Sequence, residues 1–169
     1  MSSDTPYFGK YRGTVINNLD PLLTGRIQAI VTDVEGFIPS TWATPCAPVA
    51  GINMGMFTVP PIGSGVWIEF ERGDPEFPIW VGGYWGSAAE TPLLSHAVTP
   101  GLAGITLQTT LANGIRISDG PAGGILISTT LGAFILVSDL GITISNGKGA
   151  IITMVGPTTD INATALTVI

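Results

Sequence analysis

The chain has 169 residues, of which 45% are hydrophobic and only 11% charged, and its net charge is −6. Six basic residues against twelve acidic ones exclude a nucleic-acid binder that works by neutralising phosphates. So apolar and sparsely charged a chain predicts an obligate oligomer, because soluble domains ordinarily carry about 25% charged residues.

Glycine (23) and proline (13) are abundant and helix-favouring runs are nearly absent, so the chain reads as all-β. After a short arm, 1–10, residues 11–17 (YRGTVIN) form a strand candidate, with a turn through Asn18, Asp20 and Pro21 behind it. Residues 25–34 (GRIQAIVTDV) predict one long strand, with Ile27, Ala29 and Val31 alternating against Arg26, Gln28 and Ile30. A long loop over 35–56 follows. Residues 65–71 (GVWIEFE) put Val66, Ile68 and Phe70 on one face and Trp67, Glu69 and Glu71 on the other. Residues 78–84 (PIWVGGY) pair with them through the turn RGDPEF. A handful of strands over 11–87 predicts a small Greek-key barrel of OB type.

Composition then changes abruptly. Thirteen of the eighteen charged residues lie before residue 100, all four tryptophans lie between Trp42 and Trp85, and beyond His96 the only aromatic is Phe134. Ser, Ala, Thr and two prolines over 88–100 mark a linker. From 101 to 169 the chain becomes a series of short steps, most of them opened by glycine: GITL, GIRIS, GILIS, GITIS. Strands are predicted at 104–108, 114–118, 124–128, 133–138, 141–145, 149–155, 160–163 and 165–169. Each is too short to bury its apolar edge alone, so the run must stack on itself or on identical copies. Ile105, Leu107, Ile115, Ile117, Ile125, Ile127, Ile142, Ile144 and Ile161 are the candidates for a shared trimer core. Residues 124–128 and 133–138 are apolar on both parities, which leaves their inward face open.

No constellation for catalysis, cofactor or metal binding emerges. Glu69, Glu71, Asp74 and Glu76 resemble a carboxylate pair for glycoside cleavage less than they resemble a solvated hairpin edge. His96 has no partners at ligand spacing, and Cys46, between Pro45 and Ala47, is expected to be a buried structural thiol. Trp42, Trp67, Trp80 and Trp85 are expected to pack in cores or interfaces; the alternative is a stacking platform, as in a trimeric glycan-binding adhesin with an OB-like head. The N-terminal segment has no secretory pattern and no apolar run reaches a membrane span, so the expected place of synthesis is the cytoplasm.

The motifs Gly13-Thr-Val-Ile-Asn-Asn, Asp20-Pro21 before Gly25-Arg26, Trp42-Ala-Thr-Pro45, Val59-Pro-Pro-Ile-Gly63, Gly73-Asp-Pro75 and Pro78-Ile-Trp-Val-Gly82 occur in one collinear order. In that order the chain resembles the central spike proteins of contractile injection machines. These include phage baseplate assembly protein V and the spike part of type VI secretion VgrG proteins. The resemblance implies an OB domain followed by a triple-stranded β-helix or β-prism formed by a homotrimer, assembled into a phage baseplate or injection particle. It implies no enzymatic activity, because residues 88–100 stand where some spikes insert a lysozyme domain. It implies a hub protein on the barrel side, with Tyr7, Phe8, Glu69, Glu71 and Asp74 as docking candidates. It also implies a PAAR-type tip protein at the other end, near Leu166, Val168 and Ile169, and a target cell envelope beyond.

Overall fold

A computed structural model describes residues 6–97, 101–120, 123–163 and 165–168. The chain forms two compact units, residues 1–90 and 91–169.

The first unit is built from β1 (Tyr11–Asn17), β2 (Gln28–Ile30), the helical turn α1 (Thr32–Glu35), β3 (Thr44–Pro45), β4 (Ala50–Gly51), β5 (Met54–Gly55), β6 (Gly65–Phe70) and β7 (Pro78–Tyr84). Five of these strands form one sheet in the order β2-β1-β6-β7-β3, with β4 and β5 as a separate hairpin. Bridges from Ile27 to Ala43 and from Ile30 to Pro39 tie the approach to β3 back onto the segment around β2, curling the sheet on itself. Alternation decides the core. Val15, Ile27, Ala29, Val31, Ala43, Val66, Ile68 and Phe70 are the buried apolar residues, each on the inner parity expected of a half-buried strand.

Residues 25–34 are not one long strand. Their inner parity holds, since Ile27, Ala29 and Val31 are fully buried, but only Gln28–Ile30 is laddered. The chain then turns, because the Val31 carbonyl accepts from the amides of Val34 (3.1 Å) and Glu35 (3.0 Å). The segment expected as a bare loop over 35–56 supplies β3, parallel to β7, and the β4–β5 hairpin.

The second unit opens with a 3-10 segment, Leu93–Ala97, whose Leu94 amide donates to Gln108 Oε1 at 2.8 Å. Eight strands follow: β8 (Gly104–Gln108), β9 (Gly114–Ser118), β10 (Gly124–Ser128), β11 (Phe134–Ser138), β12 (Gly141–Ser145), β13 (Ile151–Val155), β14 (Thr158–Ile161) and β15 (Leu166–Val168). Each pairs antiparallel with its sequence neighbours, giving one continuous meander. β13 starts later than the sequence predicts because Asn146 Oδ1 accepts from the amides of Lys148 and Ala150 and holds a turn there. Two connections are alike. In the β8–β9 loop Thr109 N donates to Asn113 O, and in the β10–β11 loop Thr129 N donates to Ala133 O, both at 2.9 Å. Both loops read Thr-Thr-Leu, twenty residues apart, and Thr130 N bonds Asn113 Oδ1 at 3.1 Å, stacking one on the other.

Candidate assembly interface

The strand registers of the second unit line up two apolar ladders on one face. The first runs Ile105, Ile117, Ile125, Val137, Ile142, Met154, Thr159. The second runs Leu107, Ile115, Ile127, Ile135, Ile144, Ile152, Ile161, Leu166. Thr159 is the single polar member. On the other parity, the central row Thr106, Arg116, Leu126, Leu136, Thr143, Thr153, Asp160 is mixed, with Leu126 and Leu136 directly paired.

The glycines that open strands make this register attainable. Gly124 and Gly141 have φ of 117° and 144°, and a Cβ at either would sit 2.1 Å from the carbonyl oxygen of Val137 or Met154. Only glycine permits that approach between neighbouring strands.

Ten ladder residues remain 38–60% exposed in the single chain. Completing the burial of each is worth roughly 1 kcal/mol, a fraction of the 1.5–3 kcal/mol for a whole aliphatic side chain. The sum, on the order of 10 kcal/mol per chain, equals the entire stability of an ordinary domain. A face of this kind is built to be covered.

All nine core candidates read from the sequence fall on the ladders. The sequence missed Ile135, Val137, Ile152 and Met154, because residues 134–137 and 151–152 are apolar on both parities and only the register separates them. Of the tip candidates, Leu166 ends a ladder and is 55% exposed, Val168 lies in β15, and Ile169 falls outside the described residues.

The hub candidates scatter. Tyr7 is committed to the barrel: its amide donates to Gly73 O at 2.8 Å and its ring packs with Tyr11 and Phe70. Phe8 is exposed, Glu69 pairs with Lys10, and Asp74 Oδ1 caps the amide of Glu76 at 3.0 Å. Glu71 is exposed at the start of a 3-10 turn.

Cys46 is exposed rather than buried, because its amide donates to Trp80 O at the end of β3 and, among the described residues, the sheet has no strand beyond it. The tryptophans occupy separate environments. Trp80 packs on the core and donates to Gly25 O at 3.1 Å; Trp67 and Tyr84 flank the Arg12 guanidinium; Arg26 lies over Trp42; Trp85 is exposed. His96 Nε2 lies 2.6 Å from Thr91 Oγ1.

Asp20 explains the spacing of Asp20-Pro21 and Gly25-Arg26. Its carboxylate accepts from the amides of Leu22, Thr24 and Arg26, from Thr24 Oγ1, and from Arg26 Nε and Nη2 at 3.0 and 2.6 Å. The Arg26 guanidinium, above all, holds the Asp20 carboxyl far below the usual carboxylate range. Glu35 moves the other way: burial first, then the neighbouring Glu76 carboxylate, raises its pKa. Among the described residues no group of three or more His, Cys, Asp or Glu could hold a metal ion, and no helix is long and apolar enough to cross a membrane.

Two family models match the chain. The Type VI secretion system/phage-baseplate injector OB domain covers residues 11–85, and the phage baseplate V C-terminal trimerisation domain covers residues 104–167. No curated protein matches it. The first match spans the curled sheet from β1 to β7, and the second spans the two ladders from their first strand almost to their last. Carrying both domains in that order, the chain belongs to the phage baseplate V family of baseplate proteins.

Proposed function

We propose that the protein is a non-enzymatic, homotrimeric central spike of a contractile phage tail or related injection particle. The observation that carries this reading is the pair of open apolar ladders within the part that matches a trimerisation domain. Three copies with their ladders turned inward form a closed prism with a dry axis. Its width is set by five-residue strands, about 17 Å, and its length by eight strands at about 4.8 Å, on the order of 35 Å. Hydrogen-bonded ladders then run along the prism and carry axial load, and sheath contraction drives that load onto a small area of envelope. The barrels seat on a hub protein, and a PAAR-type protein caps the far end near Leu166.

Sedimentation equilibrium on the full chain tests the association. The expected result is one species of three times the chain mass across the accessible concentration range. A stable monomer with native β-sheet signal would overturn the reading.

A further inference from the structure

The barrel unit has an open surface of a different kind. β7 is paired on one side by β6 from Pro78 to Tyr84, with a bulge at Val81, but on the other by β3 only at Ile79 and Trp80. Val81, Gly82, Gly83 and Tyr84 therefore present a backbone edge with no partner strand among the described residues. Natural sheets blunt such edges with charge, proline, bulges or a covering element, and of these the free stretch of β7 carries only the bulge at Val81. Here the two central residues are glycines. A Cβ at Gly82 would meet nothing within 4 Å, and Gly83 is exposed. Strand glycines accompany bulges or the close approach of another backbone, and the open space beside Gly82 leaves room for such an approach.

Across from this edge stand Val49, Met54, Met56 and Phe57, on and beside the β4–β5 hairpin, each 46–70% exposed. Between them lies a groove of about 860 Å³ whose eighteen lining residues include no charged one. A charged side chain entering it would lose hydration and find no counter-ion. Methionine walls adapt to side chains of varied shape.

We propose that this groove takes an extended, uncharged, apolar segment of a second protein, which adds a strand to the free edge of β7. The four edge residues span about 13 Å, enough for about four residues of main-chain pairing. Alternate side chains of the guest enter between Met54, Met56 and Phe57. The proposal is independent of the ladder trimer and stands or falls separately from it.

Cys46 is the one cysteine of the chain, is exposed, and lines the groove, so its thiol reports occupancy. On the full chain, its rate of reaction with an aromatic disulfide is measured in the presence of end-capped peptides of alternating Thr and Val. Parallel samples carry Glu or Lys in place of Thr, or N-methylation along the whole backbone. The uncharged peptide should slow the reaction about fivefold once present at a few times its Kd, and the charged and methylated peptides should leave it unchanged. Gly83→Val, whose added Cβ would contact only Gly65 O at 3.4 Å, and Met56→Glu should each restore the free rate without altering tryptophan fluorescence. Three results would overturn the proposal. One is no slowing by the uncharged peptide at about millimolar concentration; another is equal slowing by the methylated peptide. The third is protection of Cys46 that rises with chain concentration alone, which would give the groove to another copy.

Discussion

The two units solve the same problem of short β-strands in opposite ways. In the barrel, curling brings the inner faces of β1, β2 and β6 onto one another, and eight apolar side chains are buried within one copy. In the ladder unit the strands are as regular and the apolar residues as numerous. Yet among the described residues the only buried side chain is that of Ser118. The difference lies in topology. A meander in which every strand pairs only with its sequence neighbours makes a single layer, and a single layer has nothing to cover its apolar face. The barrel is therefore expected to fold as a monomer would, and the ladder unit to fold only as it associates.

The sharpest way to break that contrast is Ile117→Asp. It places a carboxylate mid-ladder, and in the assembled prism three such groups would meet without partners, at several kcal/mol each. Expected are loss of the trimer by light scattering and retention of the barrel's tryptophan fluorescence; normal trimers would refute the inward assignment. Ile68→Ala addresses the other side. Ile68 is fully buried, so a cavity there should cost about 2–5 kcal/mol. That loss should appear in a concentration-independent barrel transition in urea, while the mass of the assembly stays the same.

Asp20 gives a smaller, pH-dependent effect confined to the barrel. Its folded pKa lies below its ordinary value of 3.8, so its contribution is complete above about pH 4 and is lost as pH falls through the depressed value. Asp20→Asn should lower barrel stability at neutral pH and flatten its decline in acid, as read from thermal melts across that range. Glu35 should show the smallest effect, with the opposite sign. Its raised pKa means the charged form is disfavoured in the fold, so stability rises as pH falls through that value. Glu35→Gln should stabilise the barrel slightly at neutral pH and converge with the parent at acid pH in the same melts.

Much of this was legible from alternation alone. The inner residues of 25–34 and of β6, and the nine ladder positions, follow from period two and required no knowledge of partners. What period two cannot supply is pairing. Residues 25–34 keep their parity but lose their ladder, because Arg26 is drawn to Asp20 and the chain turns at Val31 directly after Ile30 pairs with Thr14 of β1. The exposure of Cys46 was hidden for the same reason. It depends on where Pro45 and Cys46 meet Trp80, contacts made across more than thirty residues of sequence. Tyr7 looked like a free arm residue until Gly73, far along the chain, supplied its hydrogen bond.

The twin Thr-Thr-Leu loops carry an evolutionary consequence. They bracket β9 and β10, so the unit that repeats is a whole hairpin, which contributes one rung from each strand to both ladders. Duplicating or deleting such a unit would change the sheet by about 10 Å while every remaining side chain keeps its side. Inserting one residue within a strand would instead turn the rest of that strand inside out. The reach of such a sheet can thus change in two-strand increments that leave every side chain on its own face.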